Sequence, residues 1–199
     1  MQSADHGSGV EDCLYLNIYV SMTNQTSPLP IMLWIHGGGF YYGSSSFYGS
    51  TKYMMDYDVI VVTINYRLGS FGFLSTDDEI VPGNMGLKDQ SLALRWISEN
   101  IQYFGGDPKR ITLYGDEAGG ASVHYHYLSP MSRGIFTTGV SSSGTALNFW
   151  AHTDSGKKKT EILARALGCS VENSNATIKC LKNIPAEIIQ EATTDISVR

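Results

Sequence analysis

The stretch ITLYGDEAGG, residues 111–120, is the part of the sequence that decides the fold. Its first four residues are apolar or β-branched and predict a short buried strand, while residues 118–128 read as a helix. Gly115 and Gly119 lie two positions on either side of Glu117, so that the strand turns abruptly into the helix. In such a turn a Cβ atom at either glycine would collide with neighbouring backbone.

The rest of the chain alternates strands with helices. Buried strands are predicted at Ile31–Ile35 and Val59–Ile64, a half-buried strand at 14–20 and a further strand at 138–142. A helix is predicted over 85–104, and short helices over 157–167, 176–183 and 185–193. Alternation of this kind implies right-handed crossovers. We therefore expect an α/β fold, with a mostly parallel central sheet and helices on both of its faces.

A strand, a glycine-flanked turn and a helix are the setting in which an α/β-hydrolase places its nucleophile. The setting fits the stretch around Glu117, but the rule calls for Ser at the tip of the turn and this chain has Glu. Glu117 is therefore the candidate residue at a nucleophile position.

A second glycine-rich element, His36-Gly-Gly-Gly-Phe40, directly follows the strand that ends at Ile35. Consecutive glycines allow backbone N–H groups to approach a ligand oxygen, as in an oxyanion hole. An isolated run of three glycines is more often a flexible loop. Two matching elements in the right order, each after a strand, favour the oxyanion hole.

Composition and charge narrow the classes of function. The chain has 199 residues, 42% hydrophobic and 17% charged, which suits one folded domain. It holds 14 Lys and Arg against 19 Asp and Glu, a formal net charge of −5, and no basic cluster typical of nucleic-acid binding. Its apolar runs are far shorter than the roughly 20 residues of a membrane span. The polar start, MQSADHGSGVEDC, does not read as a signal peptide. We expect no nucleic-acid partner and no membrane span.

Cysteine spacing and glycosylation triplets together favour a secretory lineage. Cys169 and Cys180 are 11 residues apart between two predicted helices, a span that a disulfide closes at modest entropic cost, and Cys13 is left unmatched. Asn24 and Asn175 each begin an Asn-X-Thr acceptor triplet. Such triplets are frequent by chance, so they only add to the cysteine argument.

A family resemblance runs from Glu11 to Cys180. The stretches that carry it are EDCLYLNIYV, WIHGGGF, VVTINYRLGSFGFLS, PGNMGLKDQSLALRWISENIQYFGGDPKRITL, ASVHYHYLSP and SGTALNFWA. They resemble the type-B carboxylesterase and cholinesterase family, and look most like its insect carboxylesterases. The resemblance implies the α/β-hydrolase fold and hydrolysis of carboxylic esters by a Ser nucleophile, a His base and an acidic residue, in the chain order Ser, acid, His.

The resemblance also implies roles for individual residues. Gly38, Gly39 and the N–H of Ala118 would form the oxyanion hole, and Glu117 stands where the serine should be. The acidic and His partners would lie beyond residue 199. Family members also begin earlier, with a secretion signal, N-terminal strands and a half-cystine that pairs with the position of Cys13. We therefore expect residues 1–199 to be a single, partial α/β-hydrolase domain without the N-terminal strands and the C-terminal half, from a protein that is extracellular by resemblance.

Two structural pairs follow from the same resemblance. It pairs Cys169 with Cys180 as a disulfide, in agreement with their spacing. It also implies a buried ion pair between Arg67 and Asp89, with a structural rather than a catalytic role.

Glutamate at the nucleophile position changes the expected chemistry. Ester hydrolysis by this route needs a hydroxyl that a base can deprotonate, and a carboxylate would instead form a mixed anhydride while expelling an alkoxide. Some α/β-hydrolases do attack through an aspartate, but Glu117 is one methylene longer and its oxygen would be displaced. At a helix N-terminus near Gly38 and Gly39, the carboxylate is expected to occupy the oxyanion hole itself.

Other candidate residues are interpreted as structural. The resemblance implies that His36 shapes the glycine loop rather than acting as a base. His124 and His126 are two residues apart on a helix and face different directions, so they make a poor metal pair. Asp116 beside Glu117 invites a paired-carboxylate site, but neighbours in a turn diverge. No metal or organic cofactor is expected.

The large aromatic residues divide into two groups. Trp34, Trp96 and Trp150 lie in or beside apolar segments and are predicted to be core. The aromatic residues after the glycine run either line an acyl or alcohol pocket or pack structurally, and the sequence leaves both open: Tyr41, Tyr42, Phe47 and Tyr48.

Three functions compete. The first is a carboxylesterase segment, acting on small lipophilic esters if the serine and the rest of the protein were present. The second is a non-catalytic member of the family that binds a hydrophobic ligand or, as an adhesion-type protein, a partner protein. The third is a gene fragment without independent function, with open sheet edges that would promote aggregation. Glu117 counts against the first and leads us to expect no serine-esterase activity.

Overall fold

The computed structural model describes residues 9–22, 26–46 and 51–197. Within them the strands are β1 (Leu16–Val20), β2 (Leu29–Ile35), β3 (Ile60–Ile64), β4 (Gly106–Asp116) and β5 (Thr138–Ser142). The α-helices are α1 (Gly69–Phe73), α2 (Met85–Asn100), α3 (Ala118–Leu128), α4 (Gly156–Ala166), α5 (Ser174–Leu181) and α6 (Ala186–Ser197). Short 3-10 helices cover Thr51–Asp56, Ile101–Phe104 and Pro130–Ser132.

The strands form one mixed sheet in the order β1-β3-β2-β4-β5. β1 runs antiparallel to β3, and every other neighbouring pair is parallel, so the mostly parallel sheet is confirmed. In the sheet, β3 lies on one side of β2, and β4, which comes later in the sequence, lies on the other side. The carboxyl ends of β2 and β4 therefore lie side by side, with Ile35 paired to Gly115. This reversal of strand order is where ligands bind in open α/β sheets.

The core lies where β2, β3 and β4 meet α2 and α3. All residues of β3 are buried, as are alternate residues of β2, because the sheet is covered where these strands run. The largest fully buried aliphatic side chains are Ile31, Leu33, Ile35, Ile60, Ile64, Leu94, Ile97, Ile101, Ile111 and Leu113. This core holds the two glycine-rich elements at the ends of their strands.

Helix α2 buries only part of its apolar surface, together with several polar residues. Its buried residues include Asp89, Gln90 and Leu94. Leu92 is 64% exposed and Trp96 39% exposed. The prediction that Trp96 is core is wrong, because its ring packs on the surface beside Phe104, with ring centroids 6.4 Å apart. Leu94 and Ile97 are buried in the core, and the polar residues beside them find partners inside.

Small shifts in element bounds accompany this difference. The predicted helix over 85–104 ends at Asn100 and continues as a 3-10 helix, and the strand predicted at 111–114 begins earlier, at Gly106. The strand predicted over 14–20 begins at Leu16. Trp34 and Trp150 are half-buried, and the Trp34 ring lies 4.8 Å from that of Tyr114.

Arg67 and Asp89 form the expected ion pair. The Arg67 side chain donates from Nη2 to Oδ1 of Asp89 at 2.7 Å and from Nε to Oδ2 at 2.8 Å, and the Arg67 backbone N–H donates to Oδ2 at 3.0 Å. The Asp89 side chain is 6% exposed and that of Arg67 38%. The hydrogen bonds to Asp89 raise the pKa of Arg67. The pair joins the segment after β3 to α2.

The cysteines divide as the sequence predicts. Cys169 and Cys180 are joined in a disulfide, which confirms the predicted pair and links the end of α4 to α5. Both contact a small second core that contains Ala164, Ile178 and Leu181. Cys13 is buried and outside any disulfide, and burial raises the pKa of its thiol. In the described part of the chain, no helix is long and apolar enough to cross a bilayer.

The substitution Asp89→Asn tests the Arg67–Asp89 pair. It leaves an amide N–H₂ group facing the guanidinium, and removing one partner of such a pair costs about 3–5 kcal/mol. We expect about 3 kcal/mol of lost unfolding free energy in urea, since Arg67 keeps part of its hydration. The control, Asp107→Asn, breaks the more exposed Asp107–Arg110 pair and should change stability by less than about 1 kcal/mol. Equal effects of the two variants would contradict the structural role of Asp89.

Candidate functional site

Glu117 occupies the turn between β4 and α3. Its backbone has φ 53° and ψ −111°, a strained conformation for a residue with a side chain. Two backbone hydrogen bonds hold it: the Glu117 N–H donates to the Ser142 carbonyl at 2.8 Å, and its carbonyl accepts from the Ala121 N–H at 2.9 Å. Strain of this kind persists only where the surroundings determine the conformation from several sides.

Gly115 and Gly119 are required on either side of the turn. A Cβ atom on Gly115 would overlap the backbone carbonyl of Gly119, and one on Gly119 would overlap the carbonyl oxygen of Ile35. These overlaps are with backbone, which cannot rotate away. The collision expected from the sequence is thus found at both flanks.

The glycine loop after β2 points two N–H groups at the Glu117 carboxylate. Oε2 of Glu117 accepts from the Gly38 N–H at 2.7 Å and from the Gly39 N–H at 3.3 Å. The Gly38 carbonyl in turn accepts from the N–H groups of Tyr41 and Tyr42 and so closes the loop into a turn. The structure brings Gly38, Gly39 and Glu117 together as the sequence predicts, and places Ala118, buried, directly beside them at the start of α3.

The carboxylate sits in a favourable electrostatic environment. Two backbone donors converge on one oxygen, and the N-terminus of α3 contributes the positive end of its dipole. In the oxyanion-hole interpretation of the sequence, such donors would receive the negative oxygen of a reacting ester. In this structure the oxygen that they bind is Oε2 of Glu117.

His36 shapes the loop, as interpreted from the sequence. It is fully buried, and its ring stacks on Tyr66 with centroids 4.4 Å apart. Its Nδ1 lies 2.8 Å from the Gly37 carbonyl, to which it donates, and the Tyr66 hydroxyl donates to the His36 carbonyl at 2.7 Å. Burial lowers the pKa of His36 to about 4. The ring is thus neutral at pH 7, and its Nδ1–H is hydrogen-bonded within the loop.

The remaining histidines take separate positions. His124 accepts from the Ala146 N–H at 3.3 Å, His126 is buried between α3 and α2, and His152 at the surface pairs with Asp154 at 2.8 Å. His6 lies outside the described residues. Across residues 9–22, 26–46 and 51–197, no group of three or more His, Cys, Asp or Glu is arranged to hold a metal ion.

A cavity of about 690 Å³ adjoins the glycine loop at Gly39 and Tyr41. Its apolar lining comes from Phe40, Phe73, Leu74, Leu87, Phe149, Trp150 and Leu163, and polar lining residues include Ser70, Asp77, Lys159 and Thr193. The sequence singled out Tyr41 as a possible pocket residue and Trp150 as core. The other walls come from separate elements, and no spacing pattern connects them.

Several sequence predictions concern the surface. Tyr41 and Tyr42 are 45% and 41% exposed, whereas Phe47, Tyr48 and Asn24 lie outside the described residues. Asn175 is exposed at the start of α5, and its glycosylation stays a prediction. Asp116, the last residue of β4, makes no side-chain hydrogen bond with Glu117 in the described part of the chain.

Comparison with known proteins identifies the family of this chain. A model of the carboxylesterase family matches residues 1–198. The chain belongs to the carboxylesterase family. It therefore has the α/β-hydrolase fold, of which the mixed sheet described above is a part.

Three relatives in this family are insect proteins. The chain is 53% identical over 196 residues to a carboxylic ester hydrolase of Bombus ignitus, covering 98% of this chain and 35% of the relative. It is 52% identical to venom carboxylesterase-6 of Apis mellifera, with 98% and 36% covered, and 50% identical to juvenile hormone esterase of Tribolium castaneum, with 92% and 32% covered. The chain thus spans about a third of the length of these relatives.

The substitution Gly119→Ala tests the close packing at the turn. Its new methyl group would overlap the Ile35 carbonyl, so we expect a loss of about 3 kcal/mol or more in unfolding free energy, or no cooperative thermal transition by circular dichroism. The control Gly134→Ala places a methyl group in open space at φ 75° and should cost only about 1–2 kcal/mol. A Gly119→Ala variant as stable as the control would contradict this account.

Proposed function

We propose that this carboxylesterase-family segment does not hydrolyse esters through an acyl-enzyme and instead binds small hydrophobic ligands without turnover. The observation that carries the proposal is the position of Glu117: its Oε2 lies 2.7 Å from the Gly38 nitrogen and 3.3 Å from the Gly39 nitrogen. Two of the three donors predicted to stabilise a reacting oxygen are thus already occupied by a side chain of the protein itself.

The chemistry of a carboxylate supports this proposal. Attack of Glu117 on an ester carbonyl would form a mixed anhydride and expel an alkoxide, a poor leaving group from such an intermediate. Serine avoids this problem because it exchanges one ester for another after a base removes its proton. With Oε2 bonded to the N–H groups of Gly38 and Gly39, an incoming ester carbonyl would have only the Ala118 N–H left of the three predicted donors.

The positions of the histidines support the same conclusion for this chain. His36 donates to the Gly37 carbonyl, His124 accepts from Ala146, His126 bonds with Ser132 and Gln90, and His152 pairs with Asp154. In the part of the chain that the structure describes, no histidine hydrogen-bonds with residue 117. A hydroxyl at that position would therefore have no base among them.

The cavity beside the glycine loop supports ligand binding. Its volume of about 690 Å³ is within the range of small-molecule sites, and its walls combine aromatic and aliphatic side chains with a comparable share of polar groups. A small lipophilic ester or a comparable hydrophobic molecule fits that chemistry. Such a ligand would lie against Gly39 and Phe40, next to the occupied hole.

An extracellular location accompanies the proposal. The Cys169–Cys180 disulfide fits an oxidising compartment, and one relative carries venom in its name. The exposed acceptor residue Asn175 is compatible with glycosylation there. Intact-mass measurement of secreted protein before and after removal of N-linked glycans would test both points together.

The substitution Glu117→Ser tests the proposed loss of turnover. Serine empties the hole, and none of the four histidines that the structure describes bonds to position 117, so we expect the 199-residue variant to release no 1-naphthol from 1-naphthyl acetate above the buffer rate. Acetate should bind the vacated donors and shift the amide signals of Gly38 and Gly39 in the variant, but leave them in place in the unsubstituted chain. The acetate response shows that the variant is folded with an open hole. Hydrolysis by the unsubstituted chain would refute the proposal, and hydrolysis by the variant would refute the claim that no described histidine serves as its base.

The substitution Phe149→Ala tests the cavity as the ligand site. Phe149 is 93% exposed and lines the cavity, so its removal should leave the fold intact but remove one aromatic wall. We expect about a tenfold loss of affinity for 1-naphthyl acetate by calorimetry, which corresponds to about 1.4 kcal/mol. The control Leu147→Ala removes an apolar side chain that is 87% exposed, on the same loop but outside the cavity lining. Equal losses in the two variants would place the ligand elsewhere.

A further inference from the structure

A buried chain of polar side chains connects α2, α3 and the 3-10 helix after α3. It consists of Ser91, Ser132, His126, Gln90 and Ser122, which are 0–5% exposed, and it is separate from the contacts of Glu117. The successive distances are 3.4 Å from Ser91 to Ser132, 2.8 Å from Ser132 to His126, 3.0 Å from His126 to Gln90 and 3.2 Å from Gln90 to Ser122. The last member, Ser122, lies 2.8 Å from the carbonyl oxygen of Ala118.

The carbonyl of Ala118 sets the direction of every hydrogen bond in this row of polar side chains. A carbonyl only accepts, so the Ser122 hydroxyl donates its single hydrogen to it and must accept from the Gln90 side-chain N–H₂. That orientation turns Oε1 of Gln90 towards His126. Because Oε1 only accepts, Nε2 of His126 carries the hydrogen.

The other ring nitrogen of His126 is then an acceptor. A neutral imidazole carries one hydrogen, so Nδ1 of His126 accepts from the Ser132 hydroxyl, and the Ser132 oxygen remains free to accept from Ser91. Burial lowers the pKa of His126 to about 4, which agrees with a neutral ring at pH 7. The hydrogen bonds run in one direction, from Ser91 to the Ala118 carbonyl.

The start of α3 needs an anchor of this kind. Gly119 and Gly120 lie in its first turn, where glycine lowers helix stability by about 1 kcal/mol each relative to alanine. The helix also follows directly from the strained Glu117. The Ala118 carbonyl, one residue after Glu117, is where the polar chain attaches.

We propose that His126 is a positioning residue for the glycine-loop hole. Through Gln90 and Ser122 its Nε2–H fixes the first turn of α3 against α2, and so sets the direction from which the Glu117 carboxylate meets the Gly38 N–H. The proposal rests on the hole described under the proposed function, but not on the absence of turnover. No ligand takes part in its test, so its failure is distinct from a failure of the proposed function.

The first test is the tautomer of His126 in the unsubstituted chain. Two-bond ¹⁵N–¹H correlation spectra at pH 7 should show a protonated Nε2 and an unprotonated Nδ1. A ring protonated at Nδ1 would reverse the hydrogen bonds that His126 makes with Ser132 and Gln90, and this would overturn the proposal. A doubly protonated ring would overturn it as well. This measurement needs no variant.

The second test uses two variants that each retain one arm of His126. In His126→Gln, the side-chain N–H₂ lies near the place of Nε2 and keeps the arm to Gln90. In His126→Asn, the side-chain oxygen lies near the place of Nδ1 and keeps only the arm to Ser132. We expect the Gly38 amide proton, downfield because of its bond to Glu117, to stay in place in the Gln variant and to move upfield in the Asn variant.

A control separates positioning from a general effect on the helix. His124→Gln changes a histidine on the same helix that contacts Ala146 and belongs to neither arm, and it should leave the Gly38 signal unchanged. An unchanged Gly38 signal in His126→Asn would overturn the proposal, and so would equal shifts in the Gln and Asn variants. If the Asn variant does not fold, a shifted Gly38 signal in the Gln variant or a ring protonated at Nδ1 would still overturn the proposal.

Discussion

The close approach of the first turn of α3 to the end of β2 is the constraint on which the site depends. Only a residue without Cβ fits at position 119, because the Ile35 carbonyl occupies the space. Since β2 and β4 are neighbours with parallel direction, this contact brings the loop after one strand against the turn after the other. Gly38, Gly39 and Glu117 meet for this reason, although 78 residues separate Gly39 from Glu117. The backbone strain at Glu117 is held by the same packing.

Within that geometry, the identity of one side chain decides what the site can do. Two N–H groups and a helix N-terminus favour a negative oxygen, and they act in the same way on an oxygen of the protein as on one of a substrate. Glu117 reaches the hole and satisfies both donors. Membership of the carboxylesterase family thus accounts for the architecture of the site, while function follows from the residues that occupy it. The adjoining cavity leaves room for binding.

Polar groups inside the α2–α3 interface give this architecture its specificity. Asp89 and Gln90 are buried neighbours on α2: one pairs with Arg67 in the segment after β3, and the other reaches Ser122 on α3. Buried polar groups need partners with the right geometry, so each pair tolerates few alternative arrangements of the helices. The same helix buries Leu94 and Ile97 in the core and leaves Leu92 and Trp96 exposed.

The amino-acid sequence by itself determined the alternation of strands and helices, the two glycine-rich turns and the Glu at the nucleophile position. These features depend on local periodicity and on conformations that only glycine allows, and the family resemblance added the Cys169–Cys180 and Arg67–Asp89 pairs. Tertiary structure alone decided that the Glu117 carboxylate accepts from Gly38, that Trp96 is exposed, and that a cavity lies beside the glycine loop. The hydrogen bonds between His126, Gln90 and Ser132 were also decided by tertiary structure alone. These contacts join residues far apart in the chain, and their geometry is set by packing between elements, which no local pattern encodes.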